Sequence, residues 1–287
     1  MRPGSVCRGW TAVALCAVLG LPGGAGAQTL FTDVTDEVFA TRPWPPRSAA
    51  FGDVDNDGQV DLFFAAGGNT PAPRVELHTR EGGGEFLYAR TALPLPAGMI
   101  TWNTYPGGGS VLGDYDNDGD LDAYAPMGCY VSDFASTNLL LRNDQGVFTD
   151  VAAEAGLTDV LPTDNAVWWD YDRDGHLDLY TANLGDAACR NRLYRNQRDG
   201  TFADVTAQMG LDGPLHPALG GSNGGVAAAD FTGDGWPDLY VGVYGASDRL
   251  FLSTPAGFWD ATLVVGETEE AFGVGVGDYD NDGDLDI

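Results

Sequence analysis

The chain of 287 residues carries 42 Asp and Glu against 14 Lys and Arg, a formal net charge of −28, which excludes a basic footprint for nucleic acid and attraction to an anionic membrane surface. Every basic residue is arginine, so Schiff-base chemistry and a Walker-type phosphate loop, both of which need a lysine ammonium, are excluded as well. A hydrophobic content of 44% with 13 Phe, 11 Tyr and 7 Trp is ample for a packed core, so the acidity belongs to a folded protein and not to a disordered tail.

Residues 1–27 read as a secretory signal peptide. Arg2 and Arg8 precede an apolar run from Trp10 to Leu21, and Ala25, Gly26 and Ala27 supply the small-x-small cleavage pattern. The run falls short of the ~20 residues that a spanning helix needs. No later stretch is long enough either, so the mature chain, 28–287, is expected to be secreted (extracellular or periplasmic) without a membrane span. Cleavage removes Cys7 and Cys16 and leaves Cys129 and Cys189, an even pair in a disulfide-permissive compartment. A bond between these two is the favoured reading, with two unpaired thiols as the alternative.

One pattern then recurs five times along the chain. Its first copy holds Asp53, Asp55, Asp57, Gly58, Gln59 and Asp61, and its second Asp114, Asp116, Asp118, Gly119, Asp120 and Asp122. The third has Asp170, Asp172, Asp174, Gly175, His176 and Asp178; the fourth has Asp230, Thr232, Asp234, Gly235, Trp236 and Asp238; the fifth has Asp278, Asp280, Asp282, Gly283, Asp284 and Asp286. From first Asp to first Asp the steps are 61, 56, 60 and 48 residues, the period of a propeller blade and not of a nonapeptide solenoid.

Short apolar segments precede each copy at 49–51, 111–112, 166–169, 226–229 and 274–276. Strand-length segments follow the first four at 60–65, 121–125, 177–182 and 237–243. A second hairpin comes next, at 74–78 with 86–90, 139–142 with 147–151, 191–196 with 201–206 and 249–252 with 258–262. Each unit therefore reads as four antiparallel strands, A to D, with the acidic loop joining A to B. Four-stranded units at this period predict an all-β fold, a β-propeller, with blades at about 48–95, 109–157, 165–211 and 224–264 and an incomplete one at 271–287.

Positions 1, 3, 5 and 9 of the loop carry oxygen side chains, and the glycine at position 6 permits the sharp turn that brings them together. With a backbone carbonyl at position 7, from Gln59, Asp120, His176, Trp236 and Asp284, this is the donor logic of a calcium site. The chemical variety at position 7 fits a role for the carbonyl and not the side chain. Without a cation the carboxylates repel, a single pair at ~4 Å costing about 4 kcal/mol at an effective dielectric of 20. Up to five Ca²⁺ are expected; Mg²⁺ is the weaker candidate because it keeps waters in a strict octahedron. An EF-hand needs Glu at position 12 and helical flanks, whereas Phe64, Ala125, Thr181 and Val241 stand there in the first four copies, inside β-rich segments. Thr232 makes the fourth loop the expected weakest site.

These residues resemble the FG-GAP or VCBS-type repeats of the integrin α N-terminal propeller family, whose A-to-B hairpin carries such a calcium loop, and the likeness runs from residue 30 to residue 287. The segments 147–157 and 191–211 look more narrowly like the ASPIC/UnbV and cartilage acidic protein group. The resemblance implies a seven-bladed propeller, often followed by a C-terminal ASPIC/UnbV domain. At a mean step of about 56 residues seven blades need roughly 390, and the mature chain offers about 260. The sequence therefore reads as the N-terminal part of a longer parent chain, whose missing C-terminal blades would be its first partner, and 30–35 reads as a D strand that closes the ring.

No Ser-His-Asp or Cys-His order stands out, and His78 and His216 are isolated. The aromatic loops at 102–105 and 215–223 join blades on the face opposite the acidic turns, where ordinary inter-blade packing is the favoured reading and a surface for sugars or a protein partner the alternative. The expected function is a secreted calcium-binding scaffold for protein interaction or adhesion, without catalysis, its partner an extracellular protein or glycan. The alternative is a carbohydrate-binding or polysaccharide-active propeller, since calcium-loop propellers also resemble the folds of some lyases and fungal lectins.

Overall fold

The computed structural model describes residues 46–66, 74–80, 88–92, 109–127, 137–183, 189–212, 224–243, 246–262 and 273–287. The expected signal segment, the 30–35 strand, Cys129 and both aromatic loops lie outside them, so the proposed Cys129–Cys189 bond falls outside them too.

Four sheets follow one another along the chain. The first contains β1 (Pro46–Gly52), β2 (Asp61–Ala66), β3 (Arg74–Arg80) and β4 (Tyr88–Ala92). The second contains β5 (Val111–Gly113), β6 (Asp122–Ala125), β7 (Leu139–Asp144) and β8 (Val147–Asp150). The third contains β9 (Thr163–Trp169), β10 (Asp178–Asn183), β11 (Arg192–Asn196) and β12 (Phe202–Asp204), and the fourth β13 (Val226–Ala229), β14 (Asp238–Val241), β15 (Arg249–Thr254) and β16 (Gly257–Asp260). Within each sheet the strands pair antiparallel in chain order, without a crossover. The inner strands of successive sheets lie side by side, β1 against β5, β5 against β9 and β9 against β13. The chain is thus an all-β, partial β-propeller with four complete blades, and residues 273–287 add an antiparallel bridge, Gly277 to Asp286, around the fifth loop.

The second and third blades are covered on both faces by their neighbours, which explains why their middle strands are apolar on both sides. β6 and β10 are buried along their whole length. The cores accordingly lie between blades. Val54, Phe63 and Leu77 of the first meet Ala123, Leu139 and Leu141 of the second, while Tyr124 and Leu140 face the other way, toward Leu179, Tyr194 and Phe202 of the third. Trp169, Tyr180 and Leu193 then meet Leu239, Val241 and Phe251 of the fourth. This is sheet-on-sheet packing through alternating side chains.

Two local devices set the spacing. At the inner edge Gly113 admits the next blade, for a Cβ there would lie 2.9 Å from both Leu177 Cδ1 and Trp168 Cδ1. At the outer edge the segments 151–157 and 205–211 make one helical turn each, closed by Ala155 N–H to the Val151 carbonyl at 2.8 Å and Met209 N–H to the Val205 carbonyl at 2.9 Å. Each turn then receives the last strand of the following blade, through Phe202 N–H to the Ala155 carbonyl at 2.9 Å and Phe258 N–H to the Met209 carbonyl at 3.0 Å. β7 runs two residues past the 139–142 segment expected from alternation, because Asn143 and Asp144 still pair with Phe148 and Val147 of β8.

Candidate metal centres

The first four acidic loops connect an inner strand to the strand beside it, the fifth lies within the Gly277–Asp286 bridge, and all five share one backbone design. The first Asp accepts from the main-chain N–H groups at positions 5 and 6. Asp53 does so from Asp57 and Gly58 at 3.0 and 2.8 Å, and Asp114, Asp170, Asp230 and Asp278 repeat the pair within 3.1 Å. The carboxylate at position 5 accepts the N–H at position 7, from Gln59, Asp120, His176, Trp236 and Asp284 at 2.8 to 3.0 Å. Two left-handed residues make this winding possible. One is the glycine at position 6, with φ between 84° and 98°. The other is position 4, where Asn56, Asn117, Arg173 and Asn281 have φ of 58° to 61° and Gly233 has 70°. Asparagine tolerates that region better than most side chains and arginine does not, so the third loop holds the most strained backbone.

The winding converges carboxylates. Asp53, Asp55 and Asp57 bring ligand oxygens within 4.8 Å of one another, as do Asp278, Asp280 and Asp282. In the second and third loops the same holds for Asp114, Asp116 and Asp122 and for Asp170, Asp172 and Asp178. Asp174 is instead drawn to Arg198, whose Nη2 lies 2.6 Å from its Oδ2. Among the described residues the fourth loop forms no such group. Its Thr232 offers a hydroxyl 3.4 Å from Asp230 Oδ1, where its counterparts offer a carboxylate.

The ninth position plays a second role that the spacing alone did not suggest. Asp61, Asp122, Asp178 and Asp238 are buried and fasten the loop to the blade. Oδ2 accepts the N–H of position 2, from Val54, Tyr115, Tyr171 and Phe231 at 2.9 to 3.2 Å. Oδ1 of the last three accepts a strand-three N–H, from Asn143, Asn196 and Ser253, each at 2.8 Å. Burial pushes the Asp122 carboxyl up to about 7, against the pull of those N–H donors, and Asp178 up to about 8, with the charge of Asp172 adding to the rise. Asp55, Asp116 and Asp172 are also raised, first by burial and then by neighbouring carboxylates.

These are the marks of charge that the protein leaves uncompensated. Asp172 Oδ1 is buried without a hydrogen-bond partner among the described residues, although carboxylate oxygens in a protein interior are normally satisfied. The convergent donors are all oxygens, which suits a hard divalent cation and not zinc or a soft metal. Calcium fits this donor set.

Side chains at position 7 face away from their own carboxylate groups in the second, third and fourth loops. Asp120 accepts from Asn56 Nδ2 at 2.6 Å, His176 Nδ1 meets Asn117 Nδ2 at 2.9 Å, and Trp236 lies under the Arg173 guanidinium at 5.2 Å. That leaves the position-7 carbonyl as the donor expected from sequence. Sequence reasoning missed position 4 and the strand-three asparagines Asn143 and Asn196. The signal was present, as Arg-Asn at 142–143 and at 195–196, each followed by a glycine turn.

The FG-GAP-like repeat family model matches residues 53–125, 170–241 and 230–287. Cartilage acidic protein 1 of Mus musculus is 32% identical over 135 residues, which cover 47% of this chain and 19% of that protein. The protein of the same name from Xenopus tropicalis is 26% identical over 254 residues, covering 82% of this chain and 37% of its own length. The chain thus spans well under half the length of the curated relatives it matches. Among solved structures, an Agrocybe aegerita lectin described as recognising non-reducing terminal N-acetylglucosamine aligns with a TM-score of 0.44 and 19% identity, over 74% of this chain and 50% of its own.

Proposed function

The chain belongs to the FG-GAP-like repeat family, and from that premise we propose that it is a secreted, calcium-stabilised propeller that serves as a non-catalytic scaffold for an extracellular protein partner. One observation carries the calcium reading. Converging carboxylates recur in the first, second, third and fifth loops, with Asp122 and Asp178 raised by burial and Asp172 Oδ1 without a hydrogen-bond partner among the described residues. Asp53, Asp55 and Asp57 would hold the ion in the first loop, and their counterparts in the others. A bound divalent ion supplies positive charge that keeps these carboxylates ionised and the turn closed.

Secretion is supported by the 1–27 segment and by relatives whose name places them in cartilage. The scaffold role is supported by the placement of the loops at strand connections, where they brace blades. The test is titration of chelator-stripped protein with calcium, followed by calorimetry and thermal unfolding. Saturable heat and a higher unfolding temperature are expected, and protein that gives neither is not a calcium protein. For the scaffold role, the calcium-loaded protein is applied to a glycan array and to immobilised extracellular matrix proteins. Binding to matrix protein supports the proposal, and binding to glycans alone overturns it.

A further inference from the structure

The first and second acidic loops touch the next blade at two levels, and the third at one. At the surface, position 4 of one loop meets position 7 of the next. Asn56 bonds Asp120, Asn117 Nδ2 meets His176 Nδ1 at 2.9 Å and the Gly175 carbonyl at 3.1 Å, and Arg173 stacks on Trp236. Beneath the surface a single buried asparagine joins two loops. The Asn143 main chain donates to Asp122 of its own blade at 2.8 Å, and its Nδ2 donates to the Leu121 carbonyl at 3.1 Å and to the Val54 carbonyl of the preceding blade at 2.8 Å. Val54 sits between Asp53 and Asp55. Asn196 repeats the arrangement, donating from the main chain to Asp178 at 2.8 Å and from Nδ2 to the Leu177 carbonyl at 3.1 Å and to the Tyr115 carbonyl at 2.8 Å. Tyr115 sits between Asp114 and Asp116. The Oδ1 of each asparagine accepts a turn N–H, from Gly146 at 2.7 Å and Arg198 at 2.9 Å, so the amide has no freedom to rotate.

The fourth blade breaks the series. Pairing of Ala123 with Leu141, Leu179 with Tyr194 and Leu239 with Phe251 puts Asn143, Asn196 and Ser253 at one register position. The Ser253 main chain still donates to Asp238 at 2.8 Å. Its hydroxyl is buried without a hydrogen-bond partner among the described residues, because the side chain is too short to span two blades.

We propose that Asn143 and Asn196 are positioning residues that couple the cation sites of adjacent blades, linking the first three loops into one cooperative unit and leaving the fourth nearly independent. The proposal rests on the calcium reading. One asparagine fixes the ninth-position carboxylate of its own loop through its main-chain N–H, and through its amide the main chain between positions 1 and 3 of the loop before it. Ordering either loop therefore lowers the entropy cost of ordering the other, which is positive cooperativity in both directions.

The test uses the full chain and hydrogen exchange of the segments 53–61, 114–122, 170–178 and 230–238, followed as calcium is added to stripped protein. Asp170→Ala removes the third site, and the calcium midpoint of 114–122 is expected to rise about fivefold or more. In the Asn196→Ser background, which copies the serine of the fourth blade and keeps the main-chain donor, that response should vanish. Ser253→Asn should lower the midpoint of 170–178, an outcome that a merely destabilised variant does not give. A response of 114–122 to Asp170→Ala that survives Asn196→Ser overturns the proposal, as does an unchanged midpoint in Ser253→Asn. If calcium protects no loop at all, the calcium reading fails by itself. The coupling is then read in metal-free protein, where Asn196→Ser must speed exchange in 114–122, and an unchanged rate there refutes it.

Discussion

Asp178→Asn separates the two roles of the ninth position. In metal-free protein the folded carboxyl titrates at about 8 and the unfolded one near ~3.9, so the folded state binds the extra proton between those values. Stability is then fully present below about pH 4 and lost as pH rises toward 8, by about 1.4 kcal/mol per pH unit and at most ~6 kcal/mol in total. Asparagine does not titrate, which removes the slope. It also turns an amide toward one of the two main-chain donors, Asn196 N–H or Tyr171 N–H, leaving a buried N–H unpaired at a cost of ~1–3 kcal/mol. The variant should therefore be less stable than the native chain near pH 4 and more stable at pH 8, with the curves crossing between about pH 5 and 6. Saturating calcium at pH 8 should reverse the order again, because the native site gains a ligand that the variant lacks. Urea unfolding followed by tryptophan fluorescence at intervals from pH 4 to 9, with chelator and with calcium, gives both comparisons. Parallel curves in chelator would show that Asp178 stays ionised in its buried site, and the argument from burial would be wrong.

Three further outcomes follow from single sites. Thr232→Asp gives the fourth loop the carboxylate its counterparts have; calorimetry should show calcium binding there tighten by about tenfold or more, while metal-free stability at pH 8 falls by about 1 kcal/mol from added repulsion. Gly113→Ala places a Cβ against Leu177 and Trp168 at 2.9 Å, and the overpacking should cost ~1–3 kcal/mol in chemical denaturation, with or without calcium. Gly119→Ala meets no neighbouring atom, yet its φ of 95° should cost about 1–2 kcal/mol, measured in the same way, and weaken calcium at the second loop.

The blades were legible because their signal is local and repeated. An Asp-rich turn between two apolar segments fixes a hairpin, and its recurrence fixes the rest, so β2, β6, β10 and β14 begin one after another at the ninth Asp of a loop. Strand ends were less legible, since β7 extends to Asp144 by pairing the polar Asn143 and Asp144 with Phe148 and Val147 across the hairpin. The convergence of the loop carboxylates followed from residue type and spacing, whereas the burial of Asp122 and Asp178 comes from strands and neighbouring blades that no nine-residue window contains. Asn143 was invisible as a joint for the same reason: its partner Val54 lies 89 residues upstream, and only the closed sheet stack brings them together.

The position between the first two carboxylates of the first three loops ties the acidic turn to the core. Val54, Tyr115 and Tyr171 sit there, and each is buried in an inter-blade cluster while its flanking aspartates join the converging carboxylates. Tyr115 stacks near-parallel on Trp168 of the next blade at 6.1 Å, and Tyr171 packs against Phe258 at the same distance. A loop that opens to relieve repulsion among its carboxylates must therefore pull an aromatic or branched side chain out of a core shared by two blades. Half the acids of the chain, 21 of 42, lie in the five loops, so the repulsion is concentrated where the core is held. Loss of cation at one loop should accordingly loosen the junction between blades before it disturbs the strands within them.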